Sequence, residues 1–178
     1  MDSGKADEND VFVKHVHERI VGGKRCYMET NYEKYDIYRA MKLNLKKSMT
    51  AEFYYQAIFI EYAIIEDRCS SMLKHAGVKY LDSKGREVRL SEKIRKLRGN
   101  PCFDNKNIRK YISLEFLQNI QDWKNDRDHL IHALAKIPYD DESIKQIAIE
   151  GQEIVNSLDN KSKKINHYFD TVQNEKGE

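Results

Sequence analysis

Apolar side chains return every three or four positions along most of this chain, the spacing that lines one face of an α-helix. A helix over about residues 30–47 carries Tyr35, Tyr38, Met41 and Leu45 as one buried stripe. A second begins after Thr50, a good N-cap, and runs to Gly77, a good stop. Between Phe53 and Ile65 it is apolar nearly all round, which predicts the central helix of a bundle. The helical period disappears in VKYLDSKGREVRL, where Asp82 to Gly85 predicts a turn that could close a small hairpin.

Ser91 caps a short basic helix, SEKIRKLR, which Gly99-Asn100-Pro101 ends. Ser113 caps a longer one running towards Pro138, and a last helix starts near Asp140. That last helix places Ile144, Ile147, Ile154, Leu158, Ile165, Phe169 and Val172 at alternating three- and four-residue steps, as packing against partner helices requires. The fold class is all-α, a bundle of four main helices plus short ones. Residues 1–10 read as a disordered leader and Val11 to Tyr27 as a weak helix ended by Gly22-Gly23, with 11–178 forming one domain free of repeats and linkers.

A length of 178 residues fits a single domain, and two prolines and eight glycines leave few positions that interrupt helices. Cys26, Cys69 and Cys102 lie far apart and are odd in number, so neither a disulfide framework nor a zinc knuckle is expected, and a reducing, cytoplasmic setting follows. No window approaches the roughly 18 apolar residues a membrane span needs, so no membrane partner is expected. A Gly-rich phosphate loop, a serine-nucleophile motif and a dinucleotide fingerprint are all missing from the sequence.

A net charge of +2 does not announce a nucleic-acid binder. Local charge changes the picture. Between Lys84 and Lys110 ten Lys or Arg face only Glu87, Glu92 and Asp104, a density that suits either a solvated helix surface or phosphate binding.

In a bundle, the informative polar residues are those the helical period assigns to the interior, because a buried charge is costly unless paired or functional. At about 100° per residue, Arg127 falls within the stripe formed by Phe116, Ile120, Trp123, Leu130, Ile131 and Leu134. On the central helix Glu61 and Arg68 fall among Tyr54, Ala57, Ile58, Ile64, Ile65 and Met72. Glu61 is therefore expected to accept hydrogen bonds from Arg127 or Arg68, either as a stabilising ion pair or in support of a site.

Arg127 opens the segment RDHLIH, with Asp128 next and His132 five positions on. An Arg-x4-6-His spacing alone is common, and Arg68 with His75 makes a second match. The context of Arg127-Asp128-x-x-x-His132 resembles the HEPN superfamily, helical bundles whose ribonuclease members carry Arg-x4-6-His late in the bundle, commonly with Asn, Asp or His after the arginine. FIEYAIIEDRCSSMLKHAG and LSEKIRKLRG look like the helices that precede that motif, so the resemblance covers roughly Thr50 to Pro138. HEPN toxins paired with nucleotidyltransferase antitoxins tend to carry tyrosine two residues after the histidine, where this chain has Leu134.

The resemblance implies metal-independent RNA cleavage by a homodimer, with no cofactor and no metal. His132 would handle protons, Arg127 would neutralise the phosphate, and Asp128 would orient one of them; Glu61, Arg68 and His129 would support the site. Lys93, Arg95, Lys96, Arg98, Arg109 and Lys110 would guide RNA. On an ideal helix Arg127 and His132 lie about 140° apart, so one straight helix cannot unite them. A twofold contact, a kink or the reach of the arginine could. Asp126, His129 and His132 have metal-compatible spacing, but a second helix offers no Glu-x-x-His, and His15 and His17 look incidental.

Three functional readings remain. The first is a HEPN ribonuclease acting as a defence or toxin effector, with an antitoxin or regulatory protein as a further partner. The second is a HEPN-like module that binds without catalysis, and the third is an unrelated helical regulator.

Overall fold

The computed structural model describes residues 31–134, 136 and 141–175, so the readings of the leader and of Val11 to Tyr27 fall outside it. Six α-helices are present among the described residues: α1 (Asn31–Thr50), α2 (Tyr54–His75), α3 (Leu90–Gly99), α4 (Lys106–Arg109), α5 (Leu114–Ala133) and α6 (Asp141–Glu175). A 3-10 turn, Pro101–Phe103, lies between α3 and α4. Contacts divide the chain at Ala40 and Met41, inside α1, and the fold below is that of residues 41–178.

The longest contact runs between α2 and α6; α3 then packs on α2 and on α5, and α5 closes back onto α6. Four helices thus form a ring around one apolar core. Ala57, Ile58, Ile64, Ile65, Met72 and Leu73 of α2 are buried in it, with Leu90, Ile94 and Leu97 of α3. Leu117, Ile120, Trp123 and Leu130 enter from α5, and Ile144, Ile147, Ala148, Ile154, Val155, Leu158, Ile165 and Phe169 from α6. Of the seven apolar residues expected to line the last helix, Ile144, Ile147, Ile154, Leu158, Ile165 and Phe169 are buried and Val172, near the end, is half-exposed.

Several element ends differ from expectation. Thr50 does not open α2. It ends α1, its hydroxyl donating to the Lys46 carbonyl, and the chain turns through Glu52 at φ 59°. Phe53 occupies the N-cap of α2 without a side-chain cap, although the Phe53 carbonyl accepts the Ala57 amide. Ser91 likewise sits one residue inside α3, whose N-cap is Arg89. Ser113 does cap α5, accepting from the Phe116 amide at 3.1 Å.

The expected hairpin reduces to one bridge, Leu81 to Glu87, around a turn in which Gly85 adopts φ +72° and Asp82 accepts the Lys84 and Arg86 amides. In the stripe of α1, Leu45 is buried but Tyr35 is largely exposed. The central helix is not covered on all sides either. Phe53, Tyr55 and Phe59 are exposed, because α3 and α6 occupy only part of its circumference.

No helix among the described residues is long and apolar enough to cross a membrane.

Candidate functional site

Arg127 lies on the buried flank of α5, as the period predicts, and its side chain retains 17% exposure. Its guanidinium is layered over two rings of α2, with the carbon centre 4.4 Å from the Tyr62 centroid and 5.4 Å from that of Phe59. Planar, weakly hydrated guanidinium suits such stacking better than ammonium does. From the other side, Arg127 Nη1 donates to Asp128 Oδ1 at 3.0 Å. Asp128 Oδ2 takes Lys124 Nζ at 2.7 Å, one helical turn back. Partial burial pulls the Asp128 carboxyl upward, but the hydrogen bonds from Lys124 and Arg127 outweigh it and hold the group below the usual carboxylate range.

His132 is exposed in the last turn of α5. Ideal helix geometry puts it about 40° from Asp128, on the face that also carries Lys124. By reaching to Asp128, the arginine turns its charge towards that face. The structure thus joins Arg127 and Asp128 directly and leaves His132 one turn further on.

His129 points another way. With Asp126, Ser143, Gln146 and Glu150 it lines a groove between α5 and α6. Farther along, Asp122, Asp126, Glu150 and Glu153 share the same helix pair. Burial first, then the negative charges of Glu150 and Asp122, raise the Asp126 carboxyl above its ordinary value. Phosphate is repelled from such a wall. No group of three or more His, Cys, Asp or Glu side chains among the described residues is arranged to hold a metal ion.

The expected pairing of Glu61 with Arg127 or Arg68 does not form. Arg68 reaches Asp159 instead, Nη2 to Oδ1 at 3.1 Å, and Lys42 meets the other oxygen at 2.6 Å. Burial works against ionisation of Asp159, yet Lys42, Arg68 and Lys163 keep its carboxyl lowered. Glu61 is 0% exposed, wedged against Gly151 of α6 and the Trp123 indole of α5, and neither of its oxygens has a hydrogen-bond partner. Burial raises its pKa to about 9, so it is a neutral acid near pH 7. The indole nitrogen is already committed to the Ile147 carbonyl at 2.9 Å.

The basic segment divides. Lys93 is fully buried, its ammonium 2.6 Å from Glu87 Oε2 and 3.3 Å from Glu66 Oε1, so it braces α3 against α2 and the preceding turn. Arg109 turns inward as well: Nη1 and Nη2 donate to the Leu97 and Arg98 carbonyls at 3.2 and 2.8 Å, satisfying the C-terminus of α3. Arg95 clamps Glu92 through two hydrogen bonds, Lys96 lies 3.7 Å from the same carboxylate, and Arg98 donates to Gln118. Lys110 is exposed, over the Tyr111 ring at 4.9 Å. The surface cations of this segment are therefore Arg95, Lys96, Arg98 and Lys110, together with Lys84, Arg86, Arg89 and Lys106.

Two contributors, Tyr62 and Phe59, were not legible as site residues. On α2 they read as further core, and only the placement of α2 beside α5 gives them a cation. Lys124 did carry a signal, the i,i+4 spacing to Asp128. Comparison of this chain with protein-family models, with curated proteins and with solved structures finds no match.

Proposed function

We propose that this protein is a metal-independent endoribonuclease of HEPN type whose active site is completed by a second copy of the chain. The observation that carries the reading is Arg127, an always-charged fork fixed by Tyr62, Phe59 and Asp128 on the helix that also presents an exposed His132. Fixing a cation before substrate arrives spares reorganisation when charge develops on the phosphorane oxygens.

In the reaction, one His132 takes the proton of the ribose 2′-hydroxyl while that oxygen bonds to phosphorus. The P–O5′ bond breaks, and the leaving oxygen takes a proton from the His132 of the other protomer. The products are a 2′,3′-cyclic phosphate and a 5′-hydroxyl. Two histidines are needed at once, and a twofold contact supplies both, along with two Arg127 forks. Asp128, bonded to Arg127 and one turn from His132, orients the pair. Arg95, Lys96, Arg98 and Lys110 draw RNA in by a salt-dependent attraction. Such an activity fits a toxin or defence effector held in check by an antitoxin or regulatory partner.

A second reading is supported by the same ion pair. Because Asp128 already neutralises Arg127 within one protomer, the bundle also suits a HEPN-like module that binds without cutting.

Incubating the full chain with RNA in EDTA tests the proposal. Cyclic-phosphate ends are expected from wild type and none from His132→Ala, with helical circular dichroism unchanged. Cleavage that survives in the variant removes the assignment. Equal slowing of host growth by wild type and Arg127→Ala would remove the effector role.

A further inference from the structure

Tyr55 and Phe59 are one helical turn apart on α2 and so share a face, yet both rings remain in water, 38% and 51% exposed. Single exposed apolar residues are ordinary, but a pair of neighbouring aromatics backed by a layered guanidinium is not scattered surface. Tyr62 continues the row, and Arg127 lies over Phe59 and Tyr62 together. We infer that this face is a stacking platform for an unpaired base of single-stranded RNA; the inference rests on the ribonuclease reading and names its substrate class.

The surrounding charge favours RNA over a protein partner. The centres of protein interfaces are depleted in lysine, aspartate and glutamate, though not in arginine. Here the rings are bordered by Arg127, Lys124 and Asp128, and both Arg89 and Glu66 lie close enough to Tyr62 to act on its phenol electrostatically. A nucleobase requires an open ring face, and its own phosphate requires a cation within one nucleotide's span; Phe59 and Arg127 provide the two in contact with each other. Stacking accepts any base, so the platform selects unpaired strands over duplex without reading sequence.

The test uses the full chain carrying His132→Ala, so that RNA stays intact, with a fluorescein-labelled single-stranded oligouridine followed by anisotropy. Adding Phe59→Ala should weaken binding about tenfold, and Phe59→Trp should retain it. Phe59 is half in solvent, so neither change threatens the fold. One abasic position, walked along the oligonucleotide, should cost the Phe59-containing protein a similar factor at a single register and cost Phe59→Ala nothing further there.

Equal abasic losses in both proteins overturn the platform, as does equal affinity for duplex. Dissociation of a dimer by Phe59→Ala also overturns it, since a second copy would then cover the face. Cyclic-phosphate ends from wild type without the abasic signature leave the ribonuclease standing and remove the platform. The signature without such ends does the reverse. Absence of any RNA binding removes both.

Discussion

Replacing Glu61 with glutamine isolates the cost of keeping an acid inside the bundle. In the folded protein its pKa is about 9, against an ordinary 4.5. Between those values the native state holds a proton that the unfolded chain has released, so this group makes stability fall as pH rises through that window and level off above it. From about pH 5 to about pH 8 the loss amounts to about 4 kcal/mol, an order-of-magnitude figure from the two pKa values. Glutamine cannot ionise. Its amide brings a donor that Trp123 and Gly151 cannot satisfy, but that penalty is the same at every pH. Urea unfolding of both proteins across the range should therefore give curves that diverge, with Glu61→Gln gaining steadily on wild type as the solution becomes more alkaline. Every other titrating group cancels in the difference. Parallel curves would mean that Glu61 has found a partner or water, and the neutral-acid account would fail.

Two further outcomes follow from the same core and its edge. Gly151→Ala would drive a methyl group into Glu61 Oε2 and within 2.8 Å of Trp123 Nε1, both held by packing; a loss of at least about 2 kcal/mol in urea unfolding is expected, and a neutral result would show that α6 can shift away. Lys93→Met should keep most of the stability and leave RNA affinity untouched, because the stem is fully buried and Glu66 and Glu87 keep access to water. Lys93→Ala should lose about 2–4 kcal/mol through its cavity. A fall in RNA affinity for Lys93→Met comparable to that of Arg95→Ala would mean that Lys93 meets phosphate after all.

The apolar period together with cap and stop residues located α2, α3, α5 and α6, and the period named most of what α2, α5 and α6 bury, because a helix's inward face must repeat with its own pitch. Turn chemistry worked where a side chain had no competing use: Ser113 caps α5 as expected, and the Asp82 to Gly85 turn forms. It failed at Thr50, whose hydroxyl was equally able to bond back to Lys46, so α1 kept the residue and α2 began three positions later without a cap. A short-range preference cannot choose between two helices that both satisfy it.

Charge was legible as position and illegible as partnership. The sequence by itself determined that Arg127, Glu61 and Arg68 lie on inward-facing flanks, since pitch fixes direction. Only the tertiary structure decided whom each would meet: Arg68 found Asp159, Lys93 went inside to Glu66 and Glu87, Arg109 capped α3, and Glu61 was left as a neutral acid against Gly151. It also decided that Phe59 and Tyr62, apolar like the core, would carry a guanidinium at the surface. Helical pitch is a property of ten or twenty consecutive residues, whereas an ion pair or a stacked ring depends on ångström distances between segments scores of residues apart. That separation is set by how all the helices pack at once.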